Sequence, residues 1–271
     1  MNRASLENSC FSFLEHSIGV LIVEDEPAVA ELHFEHLNSY KLYHVVCASS
    51  IKEAESVLSS SRRFHVCLLD LGLEDFDHDE YYLIRKYSPR MSFIVVSARD
   101  SLEKGFQAGT CGALAIINKP VDFYKIDFID QINAAFFKSL LVPDNQSKCK
   151  PVIKDAIDAF LSSKPASVIH WANKVGVEER YLRKVWKECF EYPLKYVPWF
   201  HRIFSHAFSN YKSMYCEEFG IEEGKTDITA NDDEYINKRF KSFYHTHKIA
   251  IESILRRLLW KNSIHSVIPS K

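Results

Sequence analysis

The sequence predicts an α/β doubly wound parallel sheet followed by an all-α domain, and three observations predict it. Across the first half, five short apolar runs alternate with segments of helical period. Each run is β-branched or aliphatic and near-continuous in apolarity, as a strand covered on both faces should be. After residue 142 such runs stop and amphipathic helical periods continue alone.

The strands are expected at 20–23 (VLIV), 43–48 (YHVVCA), 65–70 (HVCLLD), 93–98 (FIVVSA) and 113–118 (ALAIIN). Helices are expected between and after them, at about 27–39, 51–62, 79–88, 101–109 and 123–141. Pro27 suits a first helical turn, and the serines before Ile51 supply a cap. Five βα units in this length imply a parallel sheet with right-handed crossovers. The polar, proline-bracketed stretch VPDNQSKCKP (142–151) reads as a linker. Domains are therefore expected at 1–142 (core 18–141) and 152–271, with the linker at 143–151. Helical periods in the second fall near 152–162, 166–174, 178–190, 194–213, 233–244 and 248–261, with an acidic loop at 222–233.

The formal net charge of −2 conceals an asymmetry. Residues 1–143 hold 13 basic against 20 acidic residues, while residues 144–271 hold 21 against 16. The basic excess is densest from Lys148 to Lys212, which suggests a polyanionic partner for the second half alone. No apolar run approaches the ~18 residues of a spanning helix, and the N-terminus makes a poor signal peptide. A soluble, cytoplasmic protein without membrane partners is expected. Seven cysteines, odd in number and with no Cys-x-x-Cys pair, are expected to be reduced and mostly structural. The spacings of His201/His206 and His245/His247 do not align metal ligands on one helical face.

The stretch VLIVEDEP (20–27) ends an apolar run in three consecutive carboxylates, Glu24, Asp25 and Glu26. In an open parallel sheet the ligand site lies beyond the carboxyl ends of the strands. Asp70 ends the third strand, Ser97 the fourth and Lys119 the fifth, so all converge on one rim. Crowded carboxylates become favourable around an oxygen-loving divalent cation, and Mg²⁺ suits two or three of them plus a backbone carbonyl. Asp70 could then act as a nucleophile forming an acyl phosphate, with Mg²⁺, Lys119 and Ser97 serving its three oxygens.

This constellation resembles the receiver domain of two-component response regulators, a flavodoxin-like fold, over about residues 18–141. The pattern is an acidic pair (Glu24/Asp25), a phosphoacceptor (Asp70), a hydroxyl (Ser97) and Lys119-Pro120, each at a strand end. The resemblance implies metal ligation by Glu24, Asp25, Asp70 and the Gly72 carbonyl, and a cis bond before Pro120. It also implies phosphate received from a histidine kinase or phosphotransfer protein, with Ser97 following the phosphate inward. Two places depart from the family. Ile116 stands where an aromatic switch residue is common, and Glu74 and His78 stand where Pro and Gly are favoured.

In the second half, residues 167–190 have the look of helix-turn-helix. Ile169 and Ala172 are expected inward, Gly176 permits the turn, and Leu182, Val185, Trp186 and Phe190 are expected to be buried on the second helix. Its other face shows Arg180, Arg183, Lys184 and Lys187, cations able to bind phosphates and guanine edges of double-stranded DNA. The stretch resembles the DNA-binding domain of AraC-type regulators through Trp171-Ala172, Gly176, Tyr181-Leu182, Trp186-Lys187 and Arg202-Ile203. Departures are Glu178 at the capping position, Glu191 at the usual glycine, Pro193 and Leu194 in place of Ser-Pro, and Val197 at the usual tyrosine. That family carries two such units; residues 234–244 echo 180–190 at a spacing of 54, after a segment too polar for a convincing first helix. The helix around 249–260 either packs the domain or forms a homodimer interface.

The expected function is thus a phosphorylation-regulated transcriptional response regulator and not an enzyme acting on external substrates. Two rivals stay open. One is a receiver-based adaptor whose helical half binds protein; the other, weaker for lack of a separate general acid, is a metal-dependent phosphohydrolase.

Overall fold

In the computed structural model, the residues described are 15–60, 63–73, 79, 81–97, 102–121, 126–143, 146–165, 167–190 and 192–201, with helical positions 204, 205, 208, 209, 242, 246 and 254 beyond. Several expectations lie outside them: the loop residues Glu74 and His78, the echo at 234–244, the acidic loop, most of the terminal helix, His206, His245, His247, Cys10 and Cys216. Described residues 15–140 and 141–209 belong to two compact units.

The first unit alternates strand and helix: β1 (Ile18–Val23), α1 (Pro27–Ser39), β2 (Tyr43–Ala48), α2 (Ile51–Ser59), β3 (Val66–Asp70), α3 (Tyr82–Tyr87), β4 (Ser92–Ser97), α4 (Leu102–Cys111), β5 (Ala115–Asn118) and α5 (Ile126–Leu140). All pairings are parallel, in the order β2-β1-β3-β4-β5. That order explains the burial of each strand. The inner strands β1, β3 and β4 are buried at every position, whereas the edge strand β5 alternates half-buried with exposed. The near-continuous apolarity of 113–118 therefore does not mean two covered faces, because nothing pairs beyond an edge.

Side chains of successive strand residues leave opposite faces, so each inner strand feeds two layers. Leu21, Val23, Cys67, Leu69, Phe93 and Val95 pack with Ile51 and Ala54 of α2, Leu83 and Ile84 of α3, and Ala108 of α4. The alternate positions serve α1 and α5, where Leu37, Ile132 and Phe136 are buried. Pro27 opens α1, where its missing N–H costs nothing. Ser50 caps α2, its hydroxyl accepting from the Glu53 N–H, while the Glu53 carboxylate accepts from the Ser49 N–H at 2.8 Å. This reciprocal arrangement satisfies two otherwise orphaned donors.

The second unit contains α6 (Pro151–Ser163), α7 (Val168–Val175) and α8 (Glu179–Cys189), preceded by a 3₁₀ turn (Gln146–Lys148) and followed by another (Leu194–Tyr196). Ser167 caps α7 through its hydroxyl. Gly176 ends it at φ +73°, and the N–H groups of Gly176 and Val177 donate to the carbonyls of Asn173 and Ala172. This closure needs a left-handed residue, which glycine adopts freely.

The core of this unit is aromatic. Trp171 and Trp186 are fully buried, and each indole N–H finds a carbonyl, Ala156 at 2.7 Å and Tyr192 at 3.1 Å. Phe190 stacks on Trp186 at 3.9 Å. Leu182, Val185, Trp186 and Phe190 are inward as expected, but Ile169 is not: it is 59% exposed. Because α7 starts at Val168, its buried stripe runs through Val168, Trp171 and Ala172 at helical spacing, and Ile169 falls about a hundred degrees off it.

Candidate functional site

The first unit concentrates charge at the carboxyl ends of its strands. Glu24 follows β1, Asp70 closes β3, Ser97 closes β4, and Lys119 follows β5. Register brings these tips together: Val23 stands beside Leu69, Asp70 beside Val96, and Ser97 beside Asn118. The Lys119 N–H further donates to the Ser97 carbonyl at 2.7 Å, fixing the fifth strand's exit against the fourth. The Lys119-Pro120 bond is cis, as the resemblance implies.

The Lys119 ammonium sits between two carboxylates from distant parts of the chain. It donates to Asp70 Oδ2 at 2.7 Å and to Glu24 Oε1 at 2.9 Å. Both acids are nearly enclosed, Glu24 at 3% and Asp70 at 8% exposed, while Asp25 is exposed. Burial pushes the Glu24 carboxyl above its usual range, against the pull of the Lys119 hydrogen bond and reinforced by the Asp70 charge. Burial disfavours the Lys119 cation, yet the hydrogen bonds to Asp70 and Glu24 outweigh this and hold its pKa above the ordinary value. Enclosed charges survive only when paired in this way.

One ammonium does not neutralise three carboxylates. Oxygens of Glu24, Asp25 and Asp70 lie within 4.8 Å of one another, an all-oxygen donor set suited to a hard divalent cation. Gly72 closes the site from the backbone. Its N–H donates to Asp70 Oδ1 at 3.0 Å, and a β-carbon there would stand 3.2 Å from Asp70 Oδ2. The donor set therefore fits Mg²⁺, with Glu24, Asp25 and Asp70 as candidate ligands.

A further residue borders this cluster. His33 of α1 is buried, and burial, joined by the Lys119 charge and opposed by the Asp70 charge, lowers its pKa to about 4. Its signal in the sequence is weak but present: it lies four residues before Leu37, and these are the buried positions of α1.

Ile116, at the place of the family's aromatic switch, is 42% exposed. It lies over Gly105 of α4, where an added β-carbon would approach its δ-carbon to 2.7 Å. The missing side chain at 105 makes the room that Ile116 occupies.

In the second unit, Arg180, Arg183, Lys184 and Lys187 all lie on the exposed face of α8, opposite the buried stripe. Arg183 is engaged within the helix, its Nε donating to Glu179 Oε1 at 2.7 Å. Glu178 makes no side-chain cap to α8, as its type suggests. His201 packs edge-on against Phe160, a core role. Among the described residues no helix is long and apolar enough to cross a membrane.

The family comparison points the same way as this site. Residues 20–128 match the family model of the response regulator receiver domain, and this part of the chain is a receiver domain. The chain is 28% identical, over 167 residues, to the alginate biosynthesis transcriptional regulatory protein AlgB of Pseudomonas aeruginosa, a match covering 59% of the chain and 35% of AlgB. The chain thus spans about a third of that regulator's length. Among solved structures, a CheY-like receiver domain protein from Methanospirillum hungatei is 28% identical, with TM-score 0.38, covering 42% of this chain and 90% of its own. The non-phosphorylated HemR receiver domain from Leptospira biflexa is 26% identical, with TM-score 0.37, covering 44% and 93%.

Proposed function

We propose that this protein is a transcriptional response regulator in which Asp70 accepts a phosphoryl group from a histidine kinase or phosphotransfer protein, and the second unit binds double-stranded DNA. One observation carries the reading: Lys119 bridges Glu24 and Asp70, residues 95 and 49 positions away, at the rim where the receiver's strands end. An Asp70 oxygen attacks phosphorus as the donor's leaving group departs, giving an acyl phosphate. Lys119 and the Ser97 hydroxyl stand on neighbouring strand ends and serve as cationic and neutral donors to the phosphoryl oxygens. Mg²⁺, held by Glu24, Asp25, Asp70 and the Gly72 carbonyl, would supply the remaining charge neutralisation when bound. No external substrate is turned over.

For the second unit, the reading is supported by four cations on one exposed helical face and by the similarity to a transcriptional regulatory protein. Such cations give affinity through counterion release. The exposed Ile169 and Tyr181 favour the adaptor reading instead, in which this unit docks on a protein. Incubation with a labelled small phosphodonor and Mg²⁺ tests the first half: label should enter the unmodified chain and be lost in Asp70→Asn. Retained label in that variant would overturn Asp70 as the acceptor. Binding to genomic duplex fragments at low salt tests the second half, and its absence would favour the adaptor.

A further inference from the structure

Residues 146–150, expected from the sequence to be linker, belong to the compact second unit, and the 3₁₀ turn Gln146–Lys148 runs beside α8. They bring a lysine to the helix that carries the basic face. The Lys150 ammonium stands 3.9 Å from Glu188 Oε2 and 5.7 Å from the centroid of the Tyr181 ring. Tyr181, Lys184 and Glu188 follow one another on α8 at spacings of three and four, so they form one row along its surface. Lys150 therefore stands at the margin of the face formed by Arg180, Arg183, Lys184 and Lys187, on the Lys184 side.

Its position is prepared. Pro151 restricts the residue before it to extended backbone, and Lys150 sits there at φ −78° and ψ 153°. The Tyr181 ring attracts the cation. At 3.9 Å the Glu188 oxygen steers the ammonium without accepting a hydrogen bond from it, whereas Arg183 already donates to Glu179 at 2.7 Å. Among the described residues the Lys150 ammonium makes no hydrogen bond, and its side chain is 47% exposed, so its three donors are open to an anion.

We propose that Lys150 is a fifth cation of the duplex-binding face, supplied by the stretch before α6 rather than by the helix-turn-helix itself, and that it takes a DNA phosphate at the edge of α8 marked by Tyr181 and Glu188. This rests on the DNA reading of the second unit and adds a residue that reading did not use. A lysine ammonium is a compact charge on a flexible stem, so it turns from Glu188 to a phosphate oxygen with no movement of the backbone. Glu188 is a positioning residue that keeps the cation at this edge while no polyanion is present. The contact carries no sequence information, because it is made to the duplex backbone.

The test is the affinity of the full-length chain for genomic duplex fragments, measured against salt. Lys150→Gln together with Glu188→Gln removes the pair at constant net charge, and an exposed pair contributes so little to stability that the melting temperature should not move. The slope of log affinity against log salt should fall by about one, and affinity at about 0.1 M salt by roughly eightfold, on fragments of any sequence. Lys150→Arg should keep both. Glu188→Gln alone should raise affinity about twofold by releasing the cation. An unaltered slope in the paired variant, with the unmodified chain binding duplex, would overturn the proposal and leave the DNA reading intact. A loss confined to one sequence would also overturn it, since a phosphate contact acts on all. Failure of the unmodified chain to bind any fragment at low salt would overturn both.

Discussion

Glu24 and Asp70 are enclosed at the rim of a sheet and share the half-buried Lys119 across three strand ends, whereas Arg180, Arg183, Lys184 and Lys187 stand on an open helical face. The first group exists only because the fold brings it together; in sequence its members are tens of residues apart. The second is spaced by one helix and would be close in any chain that made that helix. Buried charges held in mutual contact cost desolvation that must be offset by chemistry or by pairing. Exposed cations cost almost nothing and are common on solvated surfaces. An enclosed cluster is therefore strong evidence of a site, and a basic face is evidence only when something binds it.

Perturbation should separate the two regions, and the largest effect belongs to the core beneath the basic face. Trp186→Ala should destabilise the second unit by about 3–5 kcal/mol, since a fully buried indole leaves a cavity behind. Urea unfolding should show that transition early and the receiver's unchanged; a shift in both would mean the units do not unfold separately.

Acid should act on the receiver. The folded-state pKa of His33 is about 4 against an ordinary 6.5, so on acidification the unfolded chain binds the proton first. Its contribution is present above pH 6.5, falls away from there to about pH 4, and is worth up to about 3 kcal/mol. His36, lowered to about 4 by burial and by His33, adds in the same direction. Stability measured from neutral pH down towards the folded-state pKa should fall steeply, and His33→Gln should flatten part of that slope. An unchanged slope would place the sensitivity elsewhere.

Lys119→Met should cost about 2 kcal/mol without divalent cations, because two enclosed carboxylates lose their shared hydrogen-bond donor. Added Mg²⁺ should restore much of it, measured as a thermal shift. No restoration would count against the carboxylates as a metal site.

The basic face should respond only in the presence of a polyanion. Replacing Arg183 and Lys184 by Ala should leave stability nearly unchanged and reduce the slope of log affinity for duplex against log salt by about 2, roughly one for each phosphate no longer neutralised. Glu179→Gln should have the smallest effect, about a twofold gain in duplex affinity by releasing Arg183 from an exposed pair worth a few tenths of a kcal/mol. An unaltered salt slope in the double variant would remove these two cations from any DNA contact.

Much of this is legible in order along the chain. Residues 27–39 and 43–48 are helix and strand as their patterns predict, and Asp70, Ser97 and Lys119 fall at strand ends because apolar runs stop there. The departures share a cause. The residue type of Ile169 points inward, but the cap at Ser167 sets the phase of α7 and turns it out. The composition of 113–118 suits a doubly covered strand, but strand order puts it at an edge. His33 gives little sign of itself because a histidine within an amphipathic helix has no local signature of burial beside a distant charge cluster.

Local sequence by itself determined the alternation of strand and helix, the four strand-end residues and the sign of each half, since period, turn residues and charge are properties of neighbours. Tertiary structure alone decided that Lys119 holds both Glu24 and Asp70, that His33 is buried at their side, and that Ile116 rests over Gly105. Most of these pairings join residues tens of positions apart, and their geometry depends on strand order and helix packing, which no short window of sequence contains.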